Sequence, residues 1–140
     1  MKTINTLRDL RQYPAIHESE VDFLVECAAD SDIVITDNTE LEEITGGNYY
    51  LVESEEDLKE IKSFEFNQAH KQMLTTCLHD EPLLMDGVSF NEQLNMYIFF
   101  LGTNNGGGPV WYIPKEIADK NPNVEATFKR NNEYWNNPNG

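Results

Sequence analysis

The chain has 140 residues, of which 39% are hydrophobic and 25% charged, with a formal net charge of -15. That length suits a single domain able to bury about two-thirds of its unfolded surface without a metal or a disulfide. Seven Phe, six Tyr and two Trp give it more large apolar side chains than a disordered chain carries. No apolar run approaches the ~18 residues a membrane span needs, and the acidic balance disfavours direct binding to nucleic-acid backbone or to an anionic membrane.

Ile4, Leu7, Leu10 and Tyr13 recur every three residues and predict a short amphipathic helix, stopped by Pro14. Ser19 with Asp22 resembles a capping box, and Phe23, Leu24, Cys27 and Ala28 fill one face behind it. A helix is therefore expected over about 20–29. The β-branched run Asp32–Thr36 predicts a short strand. Thr39 and Glu42 open a helical turn that Gly46-Gly47 closes. Asn48–Glu53 reads as a second strand. Ser54 then caps a helix over 55–62, with Glu55, Glu56 and Asp57 in its first turn, where negative charge favours the helix dipole.

The clearest helical spacing runs through Phe66, Ala69, His70, Met73, Leu74, Cys77 and Leu78, over about 67–79, and Pro82 ends it. Asp86-Gly87 is a turn signal. Gln93–Thr103 reads as a strand apolar on both faces, hence internal in its sheet. A glycine loop, Asn104–Gly108, leads back through Val110–Ile113 to make a hairpin. Pro114 opens a helical turn over 115–119. Asn121-Pro122 has the form of an N-cap with Pro at the first helical position, opening a last helix over about 123–134. The expected architecture is α+β: one domain over residues 1–135, a mainly antiparallel sheet of three to five strands, helices packed on one face, and a frayed polar tail over 136–140.

The charge is segregated. Residues 18–60 hold fifteen acids and one base, Lys59, so this stretch carries -14 and the rest of the chain -1. Such a surface favours a basic partner. The expected partner-binding residues are Glu20, Asp22, Glu26 and Asp30 on one helix and Glu53, Glu55, Glu56, Asp57 and Glu60 around the other.

Other constellations point to no chemistry of their own. Asn104, Asn105, Gly106, Gly107 and Gly108 allow close backbone approach and form a possible loop site, an anion nest or a loop tip that meets a partner. Geometry alone accounts equally for such a loop, and no base lies between Lys71 and Lys115 to hold a phosphate. The carboxylates match no EF-hand, and adjacent helical residues do not converge on one ion. Cys77 and His79 are two apart and point away from each other on a helix, and no hydrolase or zinc-protease signature is present. No catalytic residue, metal ligand or cofactor is expected. Cys27 and Cys77 have no redox spacing and read as reduced thiols. With no signal-peptide pattern at residues 1–13, cytoplasmic residence is the default expectation.

Asn104–Pro114, reading Asn-Asn-Gly-Gly-Gly-Pro-Val-Trp-Tyr-Ile-Pro, together with Val52-Glu53-Ser54-Glu55-Glu56-Asp57-Leu58-Lys59-Glu60-Ile61, resembles small uncharacterised proteins of phages and mobile elements. The Leu101–Tyr112 hairpin is more faintly similar to the SUKH immunity-protein superfamily, whose N-terminal pattern this chain lacks. The resemblances imply a genomic setting and no activity. Residues and resemblance together lead to the expectation of a small acidic inhibitor. It would occupy the basic, nucleic-acid-binding surface of a host or defence protein. The alternatives are an immunity protein neutralising a toxin, or a ligand-binding domain or enzyme built on the Asn104–Gly108 loop.

Overall fold

Local chemistry sets the first elements. In the computed structural model, which describes residues 1–61, 87–100 and 108–136, Lys2–Ile4 is a strand, β1. Thr6 then starts α1 (Leu7–Arg11): its hydroxyl accepts from the Asp9 amide at 3.2 Å, and the Asp9 carboxylate accepts from the Thr6 amide at 3.2 Å. This reciprocal capping satisfies two orphan amides and fixes the helix start. The helix expected from Ile4 therefore begins three residues later, because Ile4 pairs in the sheet opposite Tyr49.

Helix α2 spans Pro14–Asp30, with Pro14 at its first turn. Proline stops α1 and opens α2, since its missing N–H costs nothing at a helix start. The start expected near Glu20 is thus displaced by more than a turn. Ser19 is no cap; its hydroxyl donates to the Ile16 carbonyl at 2.8 Å. The expected strand over Asp32–Thr36 is also absent. Asp32 adopts a left-handed φ of 57°, and the Thr36 amide donates to the Thr39 hydroxyl at 2.8 Å, so this run has no strand partner among the described residues. The next helix, α3 (Leu41–Thr45), ends at Gly46, whose φ of 86° suits a residue without a Cβ.

Strand β2 (Tyr49–Leu51) leads to a 3-10 helix, Glu55–Glu60, where a longer α-helix was expected. Strand β3 (Gly87–Asn91) begins at the Asp86-Gly87 turn signal, where the sequence predicts no strand, and pairs along its length with β4 (Met96–Phe100). The link between them turns at Asn95 (φ 57°), and the Asn91 side chain accepts from the Leu94 amide at 3.0 Å. Those turn contacts move the start of β4 from Gln93 to Met96. Strand β5 (Val110–Pro114) returns antiparallel to β4, the expected hairpin. Then come α4 (Lys115–Ala118) and α5 (Pro122–Asn136), the latter opened by Asn121, whose side chain accepts from the Asn123 amide at 2.9 Å. Asn136 is the last residue of α5 rather than part of a frayed tail. The expected helix over 67–79 and the loop residues 104–107 lie outside the described residues.

The five strands among the described residues form one mixed sheet in the order β1-β2-β5-β4-β3. Of these pairs only β2 and β5 run parallel, with Leu51 opposite Tyr112. The class is α+β as expected, and β4 lies inside the sheet as its apolar faces required. The layering differs. Side chains alternate across the sheet, so Tyr49, Tyr112 and Ile98 meet α1, α2 and α3 on one face. Trp111, Ile113 and Phe99 meet the 3-10 helix, α4 and α5 on the other. Helices therefore cover both faces. The reason lies in β5, where Trp111, Tyr112 and Ile113 are all buried, so both sides of this central strand must be covered.

Candidate functional site: the α2 face

Residues Pro14–Asp30 form a helix of nearly five turns whose inner side is Ile16, Leu24 and Ala28, all buried. Glu20 lies on the same side and reaches the sheet. Its carboxylate accepts from the Tyr112 hydroxyl at 2.6 Å and from the Tyr49 hydroxyl at 3.2 Å. Both phenols are buried, and their rings sit 6.0 Å apart between centroids. Burial first, and the Glu20 charge second, push both phenols well above the ordinary tyrosine range. They remain neutral donors, and Glu20 is held by two hydrogen bonds to strands 29 and 92 residues away in sequence.

Beside this triad is a cavity of about 350 Å³. Glu20, Phe23, Thr45, Tyr49, Ile98 and Phe100 line it together with Gly108 and Val110, and its wall is mainly apolar. Gly108 is the one residue of the expected loop site that the structure describes. A Cβ on Gly47 would meet the Gly108 backbone at 2.1 Å, so the missing side chain of Gly47 lets the end of α3 and the segment before β5 touch backbone to backbone. Gly108 is thus placed by contact with Gly47; Asn104, Asn105, Gly106 and Gly107 lie outside the described residues.

The outer side of α2 carries Glu18, Asp22, Glu26 and Asp30, all exposed. Their four-residue spacing places them in one stripe along the helix. None is in an ion pair among the described residues, although like charges one turn apart repel. Phe23, 52% exposed, and Val25, 53% exposed, flank the stripe on opposite sides at about 100° per residue. Phe23 is the flank that reaches the cavity.

Asp22, Glu26 and Asp30 are therefore brought together, and Glu20 is turned inward. Glu18 belongs with the stripe. Its signal was the same four-residue spacing, hidden once the helix was started at Glu20 instead of Pro14. Phe23, expected on the buried face with Leu24, is exposed, as is Val25.

The second acidic group is elsewhere. Leu58 packs on the opposite face of the sheet from α2, so Glu53, Glu55, Glu56, Asp57 and Glu60 lie over the other layer. Asp57 is committed to structure, accepting from the Glu53 amide at 2.8 Å, the Ser54 amide at 3.1 Å and the Met1 amino group at 2.8 Å. Burial alone would raise its carboxyl pKa, but the ammonium and the two amides hold it below the usual range. Glu56 pairs with Lys59 at 3.0 Å. Glu53, Glu55 and Glu60 are exposed.

Cys27 is a half-buried free thiol, raised in pKa by burial and then by Glu26 and Asp30. His17 is half-buried on α2; His70, Cys77 and His79 lie outside the described residues. Among the described residues no group of three His, Cys, Asp or Glu can hold a metal ion, and no helix is long and apolar enough to cross a membrane. No protein-family model matches this chain, and no curated protein and no solved structure shows significant similarity to it.

Proposed function

We propose that this is a non-catalytic binding protein of the cytoplasm that docks the outer face of α2 on a basic surface of a partner protein, blocking that surface to nucleic acid. The observation that carries the reading is the stripe Glu18–Asp22–Glu26–Asp30, exposed and without an ion pair among the described residues, with an exposed aromatic and an exposed valine on its flanks. Like charges one turn apart cost the helix a few tenths of a kcal/mol per pair, about 1 kcal/mol over the stripe. A cationic partner removes that cost and gains the attraction. Successive acids are about 6 Å apart along the axis, against one phosphate charge per ~1.7 Å of duplex. The stripe thus supplies roughly a quarter of a duplex's linear charge. Charge alone is then a weak competitor, and Phe23 and Val25 supply the apolar anchor that nucleic acid lacks.

This narrows the interface to one half of the acidic residues, because those around the 3-10 helix lie over the opposite layer. A toxin would serve as the basic partner equally well, and finding a toxin gene beside this one would favour that variant. The test compares three proteins on an affinity resin, loaded with lysate of the natural host and eluted with a salt gradient. They are the wild type, the α2 variant Glu18→Gln/Asp22→Asn/Glu26→Gln/Asp30→Asn, and the control Glu53→Gln/Glu55→Gln/Glu60→Gln. A basic protein held by the wild type and the control but released early by the α2 variant supports the reading. Equal retention by all three, or loss only in the control, refutes it.

A further inference from the structure

The cavity beside Glu20 has a composition that the docking of α2 leaves unexplained. Its wall is mainly apolar, with the rings of Phe23, Tyr49 and Phe100 and the branched side chains of Ile98 and Val110, and among the described residues that line it the one charged group is the Glu20 carboxylate. Two buried phenols from different strands, β2 and β5, fix that carboxylate from behind. A carboxylate has about four lone-pair positions, and the two phenols use one on each oxygen. Among the described residues nothing else donates to Glu20, so each oxygen keeps an acceptor position on a side chain that lines the cavity, beside aromatic rings and in a chain of net charge -15.

We propose that this cavity binds a small organic amine, an ammonium group joined by a short stem to an aromatic or branched apolar body. The ammonium donates to Glu20, and the rings of Phe23, Tyr49 and Phe100 stabilise the cation through their faces. The apolar body replaces water against Ile98 and Val110. At about 350 Å³ the space lies near the lower end of the range for small-molecule sites, which suits a single ring with its side chain. An anion is rejected by Glu20, and a neutral alcohol brings one O–H donor and no charge where an ammonium brings three donors and a full positive charge. The site is separate from the acidic stripe, which faces away from the sheet, and the two share only Phe23.

The probe is 2-phenylethylamine, compared with 2-phenylethanol and 3-phenylpropionate, titrated into the full chain at neutral pH and followed by amide chemical shifts. The expected result is saturable shifts at Glu20, Phe23, Thr45, Ile98 and Val110 with the amine. Its affinity should exceed that of the alcohol and the carboxylate by more than about ten-fold, since the ammonium alone brings an opposite charge and so a charge-assisted bond roughly twice as strong as a neutral one. Glu20→Gln should bring the amine down to the level of the alcohol, and Ile98→Trp, which fills the cavity, should abolish binding of all three. The comparison of probes on the wild type needs no variant and stands even if one of them folds poorly. Equal binding of amine and carboxylate, shifts that fail to saturate by about 10 mM, or an amine affinity unchanged in Glu20→Gln each overturn the proposal.

Discussion

Raising the pH through the tyrosine range tests the Glu20–Tyr49–Tyr112 triad directly. Both phenols are pushed well above their ordinary value by burial and by the Glu20 charge they hydrogen-bond. In the unfolded chain each titrates near ~10. Below that pH both states hold the protons and the full stability is present. Above it the unfolded state loses protons that the folded state keeps, so stability falls with pH, by about 1.4 kcal/mol per pH unit for each tyrosine. Together the pair costs about 2.7 kcal/mol between pH 9 and 11, a large part of a typical total of ~5–15 kcal/mol. The assay is urea unfolding followed by far-ultraviolet circular dichroism at pH 8, 9, 10 and 11, for wild type, Tyr49→Phe, Tyr112→Phe and the double variant. At pH 8 Tyr112→Phe should be less stable by about 1.5–3 kcal/mol, because its 2.6 Å bond to a carboxylate is lost. Tyr49→Phe, with its 3.2 Å bond, should lose less. By pH 11 each single variant should recover about 1.4 kcal/mol relative to wild type, and the double variant about twice that. Parallel stability curves for wild type and variants across pH 9–11 would show that neither phenol is held protonated by the fold, and the account of the triad would fail.

The remaining predictions concern backbone contact and surface charge. Gly47→Ala should destabilise the fold by about 1–3 kcal/mol or more, since the new Cβ meets the Gly108 carbonyl carbon and oxygen at 2.1 Å and backbone cannot rotate out of the way. Thermal unfolding of this variant against Gly87→Ala, where the nearest atom is at 3.9 Å, separates overpacking from a general cost of replacing a glycine. Neutralising the α2 stripe with Glu18→Gln/Asp22→Asn/Glu26→Gln/Asp30→Asn should raise stability by about 1 kcal/mol at low salt, a shift in Tm of a few degrees. The gain should fade by about 1 M NaCl, where the screening length is only ~3 Å. A gain that persists in high salt would mean the stripe is not under charge strain.

Elements that close their hydrogen bonds within a few residues were legible from the amino acids alone. Gly46 ends α3 because its own lack of a Cβ permits a φ of 86°, and Asn121-Pro122 opens α5 through a contact two residues long. The β4–β5 hairpin was legible for the same reason: its strands are neighbours in the chain and β4 is apolar on both faces. Where a local signal competed with a distant partner, the partner won. Ile4 has helical spacing with Leu7 and Leu10, yet its place opposite Tyr49 puts it in a strand. Asp32–Thr36 differs: it has strand composition, yet short-range bonds win, the Asp32 and Ile33 amides donating to the Ala29 and Ala28 carbonyls and the Thr36 amide to the Thr39 hydroxyl, and it joins no sheet among the described residues.

The candidate site divides along the same line. Composition alone determined that residues 18–60 carry almost all the excess charge. Only tertiary structure decided that this charge is split between two faces, since the sheet passes between α2 and the 3-10 helix. It also decided that Glu20 turns inward to two tyrosines 29 and 92 residues away, while its neighbours at Glu18 and Asp22 face out. The physical reason is that α2's side chains are assigned to core or solvent by the surface the helix packs on. That surface is assembled from β2 and β5, parallel neighbours in space whose pairing leaves no local mark on the chain between them.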